Sequence, residues 1–510
     1  MEYRWVCLCI SVMAMLPPPV KSGKILVLAM PAWSHIKPMR NIADSLASMY
    51  GHQSTFILNE ELGDKVKEDS NTNVIIPASY RNISISLITK DYISGVCNQR
   101  VPLPIFALQA FGNNICDTLL SDEDLIADLE QFNFDVALID NVMVATCFTV
   151  LAYKLGIPYV EAGPMYIPVR TRIPFMPSVH STFSLLGVSE EMSFVQRVLN
   201  TLVSILIAVS PQPVFPADLV EKYVPEKPFV SLDVLHRRTA FHLIDLDFVL
   251  DFPKPMMPNV VFVGGLSTEK PKILPSYLRS YMNSATDGVV VASFGSTIDN
   301  LPSARMDKLI GVFKKFKNVK FILRYGNDTK MDGNVLLMPW LPQNDLLAHP
   351  NTKAFITHCG NSGLYEGLYN AVPMIGLPVM SDGFYNCRKM AFKGFGISHD
   401  FCSFTDLELS NAIQDILHNS KYKDNIRKGS KIFHGQQGTP SDRSAYWIDQ
   451  VIQHGADYLQ SPATDMPMYK FYLIDVLFFI ILVQFVIIWC CWRLIKTCSR
   501  CCSRPKTKTD

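Results

Sequence analysis

Two stretches of the chain alternate apolar strands, turns and helices, and this alternation limits the fold more than any other feature. Apolar strands that alternate with helices are typical of α/β proteins with a doubly wound parallel sheet. The sequence therefore predicts one such sheet in each stretch. The predicted strands of the first stretch are residues 24–30, 52–58, 135–140 and 158–160. Those of the second are residues 288–294, 319–324, 335–338, 353–357 and 373–376, with helices continuing to about residue 459.

A chain of 510 residues is too long for one ordinary core. We place the two domains at residues 24–266 and 284–460. Between the two alternating stretches, residues 174–215 are mostly apolar, which fits core, a lid over a substrate pocket or a membrane-contacting surface; core is the default. Lys and Arg total 47 against 46 Asp and Glu. This balance argues against a nucleic acid partner.

Both ends of the chain carry apolar segments. Residues 5–16 form a short apolar run followed by prolines, Ser22 and Gly23, which predicts a signal peptide at residues 1–23. Residues 471–492 hold only two strongly polar side chains and would form a helix of about 33 Å, enough to cross a bilayer. The tail, residues 493–510, is rich in Lys and Arg, which favours the cytosol. We therefore expect a single-pass type I membrane protein with its body in the lumen.

Other signals agree with the secretory pathway. Lys506 and Lys508 resemble the dilysine retrieval signal of endoplasmic reticulum membrane proteins, and Asn82 and Asn327 lie in acceptor sequons for glycosylation. The cysteines of the body show no metal-binding spacing, so we predict no metal site. Their pairing stays open in an oxidising compartment, although we expect the thiols of Cys147 and Cys359 to be buried and free.

Polar residues follow a predicted strand of the second domain, where open parallel sheets bind their ligands. The run 357–363 opens a helix with small residues, whose backbone N–H groups and helix dipole favour a phosphate. His358 can donate to a diphosphate oxygen, and Glu366 can accept from ribose hydroxyls. Trp340 offers a flat face for a uracil ring, and Gln343 has both donors and acceptors for a base or ribose.

A histidine and a carboxylate end two strands of the first domain. His35 follows the first strand and Asp140 ends the strand at 135–140, so both lie at the same predicted edge of the sheet. A carboxylate bonded to one imidazole nitrogen leaves the other nitrogen free to take a proton. The two residues are therefore candidates for a catalytic pair.

The spacing of these residues in segment 340–382 resembles the donor-binding signature of the UDP-glycosyltransferase family, especially the membrane-bound animal UDP-glucuronosyltransferases. The likeness extends from the signal peptide through residues 339–347 to residues 472–475. It implies a GT-B fold, in which two Rossmann-like domains face each other across a cleft and the second holds UDP. The donor-binding residues that the resemblance implies are Ser296, Arg324, Trp340, Gln343, Thr357, His358, Gly360, Ser362, Gly363, Glu366 and Asp382.

The resemblance also implies the roles of several residues: Trp340 stacks on uracil, Asp382 binds sugar hydroxyls, and His35 and Asp140 form the catalytic pair. The expected reaction transfers glucuronic acid or a hexose from a UDP-sugar to a hydroxyl of a small lipophilic acceptor, with inversion to a β-glycoside. No cofactor or metal is implied, because the UDP-sugar is a co-substrate.

Two departures from the family pattern bear on the donor sugar. Cys359 replaces the usual Gly, and Gly383 replaces a Gln whose amide contacts the sugar, so glucuronic acid, glucose, galactose and N-acetylglucosamine stay open. A non-catalytic lipid- or nucleotide-binding membrane protein with the same fold is the alternative, and the presence of both His35 and Asp140 argues against it. The acceptor and the oligomeric state, a homo-oligomer included, are open.

Overall fold

The computed structural model describes residues 22–69, 72–81, 83, 97, 105–173, 176–178, 191–209, 218–296, 301–379, 382–459 and 461–502. The chain divides into two compact units, with the boundary between Gln460 and Ser461. The signal peptide up to residue 21, the sequon residue Asn82 and the lysines Lys506 and Lys508 lie outside the described residues. These assignments stay predictions.

The first sheet has seven parallel strands in the order β3-β2-β1-β4-β5-β6-β7. Its strands are β1 (Lys24–Leu28), β2 (Gln53–Ile57), β3 (Asn73–Ile75), β4 (Val136–Asp140), β5 (Tyr159–Gly163), β6 (His242–Ile244) and β7 (Val260–Phe262). The accompanying helices are α1 (Trp33–Tyr50), α2 (Glu60–Asp69), α3 (Ile105–Leu120), α4 (Glu123–Phe132), α5 (Phe148–Leu155), α6 (Pro168–Thr171), α7 (Phe194–Val209), α8 (Leu219–Tyr223) and α9 (Leu232–Arg237).

The second sheet also has seven strands, in the order β10-β11-β9-β8-β12-β13-β14, and only the edge strand β10 runs antiparallel. Its strands are β8 (Val289–Ser293), β9 (Lys320–Arg324), β10 (Lys330–Asp332), β11 (Val335–Met338), β12 (Thr352–Thr357), β13 (Met374–Gly376) and β14 (Gly396–Ser398). Its helices are α10 (Ser276–Asn283), α11 (Ser303–Phe313), α12 (Gln343–Ala348), α13 (Asn361–Tyr369), α14 (Gly383–Phe392), α15 (Asp406–His418), α16 (Ser420–His434) and α17 (Pro440–His454).

Both sheets are covered on both faces, which explains why their strands read as continuous apolar runs. Along β1, Ile25 and Val27 belong to one hydrophobic layer, whereas Leu26 and Leu28 belong to the layer on the opposite face. Two further layers cover the two faces of the second sheet. The predicted pair of doubly wound sheets is confirmed.

Helix α17, which the sequence places in the second domain, packs against α1 of the first. Its residues Ala445 and Ile448 are buried in the same layer as the first sheet. At the two ends of this contact, Ser45 Oγ donates to Asp442 at 2.9 Å and His52 Nε2 lies 3.1 Å from Asp449. The last helix of the body therefore holds the two halves together.

Helix α7 corrects the expectation that the apolar stretch 174–215 is core. Leu199 and Leu206 are 55% and 61% exposed, whereas Asn200 and Ser204 on the other side are fully buried. The helical spacing gathers the large apolar side chains on one face, and within the described residues that face is open to solvent.

Three disulfide pairs appear among the described cysteines: Cys97–Cys402, Cys116–Cys147 and Cys359–Cys387. The expectation that Cys147 and Cys359 carry free thiols is wrong. Each partner lies on a neighbouring segment, and only the folded chain brings the two sulfurs together. Cys116 and Cys147, for example, are fully buried in one hydrophobic layer.

The C-terminal unit contains α18 (Met468–Phe471) and α19 (Ile474–Cys502). Within the described part of the chain, α19 is the one helix long and apolar enough to cross a membrane. It begins three residues later than the predicted span 471–492 and continues into the basic segment beyond it.

Candidate active site

His35 and Asp140 meet at the carboxyl edge of the first sheet. His35 lies in the first turn of α1 and Asp140 is the last residue of β4, the neighbour of β1. The distance between His35 Nδ1 and Asp140 Oδ2 is 2.9 Å. The backbone N–H of Met30 donates to the same carboxylate oxygen at 3.2 Å and that of Val142 to the other at 3.4 Å. The carboxylate is therefore fixed, and it leaves His35 Nε2 as the nitrogen that can take a proton.

The charges around His35 favour its protonated form. Burial lowers the pKa of the imidazole, but the charge and hydrogen bond of Asp140 and the charge of Asp382 more than offset this, so the pKa is raised above 6.5. Asp382 belongs to the second domain. The two domains thus bring a histidine and a second carboxylate within electrostatic reach of each other.

Helix α13 presents its N-terminus at the carboxyl edge of the second sheet. Gly360 is the N-cap residue, and Ser362 and Gly363 lie in the first turn, where backbone N–H groups have no partner within the helix. Thr357, which ends β12, is buried, and its Oγ1 accepts the backbone N–H of Cys359 at 3.1 Å. The turn and the helix dipole form a site suited to a phosphate.

The His358 ring lies over two glycines beside this helix start. A Cβ atom at Gly295 or at Gly360 would collide with the ring. Burial is the main reason that the pKa of His358 falls to about 4; the charge of Arg324 also lowers it, and a hydrogen bond to the Ser293 backbone opposes the fall. His358 Nδ1 is buried without a hydrogen-bond partner among the described residues. A ligand at this place would meet an unsatisfied polar atom.

Trp340 follows β11 and is 45% exposed. The Arg324 guanidinium carbon lies 5.3 Å from the centroid of its ring, and Arg324 also donates to the carbonyl of Gly295. Lys65 of α2 places its Nζ 4.1 Å from the Trp340 ring and 4.0 Å from that of Trp33. Cations of both domains therefore surround an accessible indole. Ser296, the last described residue before position 301, is half-buried beyond β8.

Glu366 is almost fully buried and both of its carboxylate oxygens are bonded. Gln343 Nε2 donates to Oε2 at 2.6 Å, and Lys37 Nζ donates to Oε1 at 3.0 Å. Lys37 also lies 3.3 Å from Glu269. The predicted ribose residues Gln343 and Glu366 are thus in direct contact, and a lysine of the first domain joins them.

Asp382 forms the N-cap of α14, and its Oδ2 accepts from Asn386 Nδ2 at 2.7 Å. Burial is the largest influence on its pKa and raises it, against the opposing charges of Lys389 and His35. The next residue, Gly383, lies directly against the turn at the start of α13: a Cβ at this position would lie 2.7 Å from the carbonyl oxygen of His358. A glutamine therefore has no room here.

A profile of the family described as "UDP-glucoronosyl and UDP-glucosyl transferase" matches residues 23–509. The chain belongs to the UDP-glycosyltransferase family. It is 30% identical to UDP-glucuronosyltransferase 1A5 of Rattus norvegicus over 96% of this chain and 93% of the relative. It is also 30% identical to UDP-glucuronosyltransferase 1A3 of Homo sapiens, over 96% and 94% of the two chains. The resemblance seen in the sequence is confirmed.

Solved glycosyltransferases share the fold. A UDP-glucosyltransferase from Polygonum tinctorium matches with a TM-score of 0.60 at 15% identity, covering 86% of this chain and all of the other. The glycosyltransferase of kitacinnamycin matches with a TM-score of 0.59 at 18% identity, covering 85% of this chain and all of the other. This UDP-glycosyltransferase therefore has the expected GT-B architecture of two Rossmann-like domains.

Among the described residues, Glu161, His236 and His242 could hold a metal ion, because their ligand atoms lie within 4.8 Å of one another. Sequence spacing did not reveal this buried group. His236 Nδ1 lies 2.8 Å from Glu161 Oε1, and His242 Nδ1 lies 3.2 Å from Oε2. Burial would raise the pKa of Glu161, but the two histidines lower it to about 2. His242 Nε2 is buried without a hydrogen-bond partner among the described residues, and the group shares no residue with the donor site.

Sequence reasoning missed several residues of this UDP-glycosyltransferase site. Lys37 and Asn386 bond directly to predicted donor residues, and Asp245 accepts from Asn361 at 3.0 Å at the start of α13. The closeness of Lys37 to His35 in the sequence was a signal for its position at the cleft. Its partner, however, lies in the other domain.

Proposed function

We propose that this UDP-glycosyltransferase transfers glucuronic acid or a hexose to a hydroxyl of a small lipophilic acceptor, with inversion to a β-glycoside. The observation that carries the proposal is the 2.9 Å pair of His35 and Asp140, with the charge of Asp382 acting on His35 from the other domain. A base in one domain and a sugar-binding acid in the other are what a transfer across the cleft requires.

The reaction is a single displacement. His35 Nε2 takes the proton of the acceptor hydroxyl while that oxygen forms a bond to the anomeric carbon. The bond from this carbon to the diphosphate oxygen breaks on the opposite side, and its electron pair leaves with UDP. Asp140 stabilises the imidazolium, and the N–H groups at the start of α13 stabilise the departing diphosphate.

The contacts that we propose for the nucleotide use side chains of the second domain. We assign uracil to the exposed ring of Trp340 and the ribose hydroxyls to the bonded pair of Gln343 and Glu366. His358 contributes a shielded nitrogen beside the diphosphate position. No metal takes part in the proposed step.

The names of the mammalian relatives favour glucuronic acid as the sugar, whereas Gly383 removes an amide that would contact it. A competition among radiolabelled UDP-glucuronic acid, UDP-glucose, UDP-galactose and UDP-N-acetylglucosamine decides the donor, read as product on one hydrophobic acceptor. Acceptors are then compared by UDP release over a panel of lipophilic alcohols and phenols.

Substitution of the base tests the chemistry. In full-length protein purified in detergent, His35→Ala is expected to lower kcat by about two to four orders of magnitude, because proton transfer by a positioned base contributes that much. Binding of UDP to this variant, measured by calorimetry, is expected to stay unchanged. Wild-type turnover of His35→Ala at saturating donor would exclude His35 as the base.

We further propose that α19 anchors the protein in the endoplasmic reticulum membrane, with its body in the lumen. Asn327 is exposed and available for glycosylation in that compartment. In cells, removal of N-glycans is expected to shift the electrophoretic mobility of the wild type, and Asn327→Gln is expected to abolish part of that shift. A body fully digested by protease added to sealed microsomes would contradict the orientation.

A further inference from the structure

We propose that the Cys359–Cys387 disulfide is a positioning element for donor-sugar recognition. It joins the turn that faces the diphosphate to helix α14, which carries Asp382, and so sets where the sugar-binding acid lies relative to the diphosphate. The inference rests on the proposed function of the donor site. It concerns a residue pair outside the catalytic machinery.

The disulfide connects the two segments directly, with the two Cα atoms 5.3 Å apart. Cys359 lies between His358 and Gly360 in the turn, and Cys387 lies five residues after Asp382, in α14. Both cysteines are buried, at 0% and 1% exposure. The bond therefore lies beneath the donor site, with the diphosphate turn on one side and the sugar helix on the other.

Two glycines make this close approach feasible. At Gly376, which ends β13, a Cβ atom would collide with the sulfur of Cys387 and lie 2.6 Å from that of Cys359. At Gly383 a Cβ atom would press on the carbonyl oxygen of His358. Cys359 and Gly383, the two residues that depart from the family pattern, thus belong to one arrangement. The disulfide holds α14 against the turn, and Gly383 is the residue that fits between them.

The backbone of Cys359 supports the same interpretation. Its φ of 64° lies in the left-handed region, which favours glycine and is unfavourable for a residue with a Cβ. A cysteine in this conformation persists when surrounding structure holds it, and the bond to Cys387 supplies that restraint.

The turn has hydrogen bonds that do not depend on the disulfide. The Cys359 N–H donates to Thr357 Oγ1 at 3.1 Å, and the next residue after Gly360, Asn361, donates to Asp245 at 3.0 Å. Loss of the disulfide should therefore leave the diphosphate turn in place and release the start of α14.

Helix α14 has a second attachment on another side. Lys389 Nζ lies 2.9 Å from Asp251 Oδ2, and both side chains are buried. This ion pair keeps α14 attached to the body when the disulfide is absent. The expected consequence is a displacement of Asp382, since Cys387 lies nearer to Asp382 along the helix than Lys389 does.

The test compares UDP with the UDP-sugar in the full-length protein. The double variant Cys359→Gly/Cys387→Ala removes the bond and also relieves the left-handed backbone at position 359. Its KM for the UDP-sugar is expected to rise about tenfold or more, because small misplacements of a binding group are costly. The Kd for UDP, measured by calorimetry, is expected to change less than about twofold, since the uracil and ribose contacts lie elsewhere.

The matched control is Cys116→Ala/Cys147→Ala, which removes a buried disulfide of the first domain. It is expected to lower Tm without changing the ratio of the UDP-sugar KM to the UDP Kd. An unchanged ratio in the Cys359/Cys387 variant, or the same change in both double variants, would overturn the inference. A wild-type protein that neither binds UDP nor transfers a sugar would instead contradict the proposed function.

Discussion

Lys37 Nζ donates to Glu366 Oε1 at 3.0 Å, although the two residues are 329 positions apart. Lys37 lies on α1, two residues after the proposed base His35. Glu366 lies on α13, behind the helix start that faces the diphosphate. Burial lowers the pKa of Lys37, but Glu366 and Glu269 raise it more, so the pKa is raised and the lysine stays charged. This contact therefore connects the helix of the proposed base to the residue proposed to bind the ribose, across the cleft.

Loss of the lysine should weaken both the domain contact and the ribose site. For Lys37→Met we expect the free energy of unfolding to fall by about 1.5–3 kcal/mol, the usual contribution of a hydrogen bond to a charged group. The KM for the UDP-sugar should rise several-fold, because Glu366 then lacks the hydrogen bond from Lys37 that orients it. Urea unfolding and initial-rate kinetics measure the two effects. Lys37→Arg keeps the charge and should retain most of both; equal losses in the two variants would contradict this role.

Asp140 should control the acid side of the pH profile. A base must be unprotonated, so kcat/KM falls as the pH drops through the raised pKa of His35, and the wild-type midpoint should lie above 6.5. Asp140→Asn removes the charge that raises this pKa. We expect its midpoint to move to lower pH while kcat falls by about two orders of magnitude or more. A full pH–rate profile of each protein measures both, and an unmoved midpoint would argue against the pair.

Trp340 should carry much of the affinity for the base. Stacking of a base on an aromatic ring contributes about 1–3 kcal/mol, so Trp340→Ala should weaken UDP binding about ten- to hundredfold. Trp340→Phe keeps a flat ring and should lose less. Calorimetric titration with UDP gives both affinities. If the alanine variant bound UDP as tightly as the wild type, the uracil would have to lie elsewhere.

His358 should make the ligand-free protein less stable in acid. Its pKa is about 4 in the folded state and 6.5 in the unfolded chain. Between pH 4 and pH 6.5 the imidazole is therefore protonated in the unfolded chain but neutral in the folded protein. Stability contributed by this group is present above pH 6.5 and is lost as the pH falls toward 4, by up to about 1.4 kcal/mol per pH unit. Urea unfolding from pH 7 to 5 should show a smaller decrease for His358→Asn than for the wild type.

Candidates for the donor site could be proposed from the sequence because these residues are close together along the chain. Trp340, His358 and Glu366 lie within one alternating stretch, where the strand ends and the helix start follow from apolar periodicity and small residues. The fold then confirms the strands that position them. The apolar character of α7 was visible in the sequence, but its exposed face was not, since periodicity shows where a helix is apolar and not what covers it.

The contacts between segments that are distant along the chain could not be predicted from the sequence. The bond between Cys359 and Cys387, the contact of Lys37 with Glu366 and the packing of α17 on α1 each join segments whose relative position follows from the whole fold. Spacing along the chain carries no information on such distances, because loops of many lengths can close the same contact at similar entropic cost.

The sequence by itself indicated the family, the two doubly wound sheets and the apolar C-terminal helix, and it supplied candidates for the donor site, because these follow from local pattern and residue chemistry. Only the tertiary structure showed that the charge of Asp382 acts on His35 from the other domain, and that Cys359 is bonded to Cys387 beside Gly383. At those positions a disulfide and a glycine form one packed arrangement. This arrangement depends on the distance between the turn at Cys359 and helix α14, and that distance is set only in the folded chain.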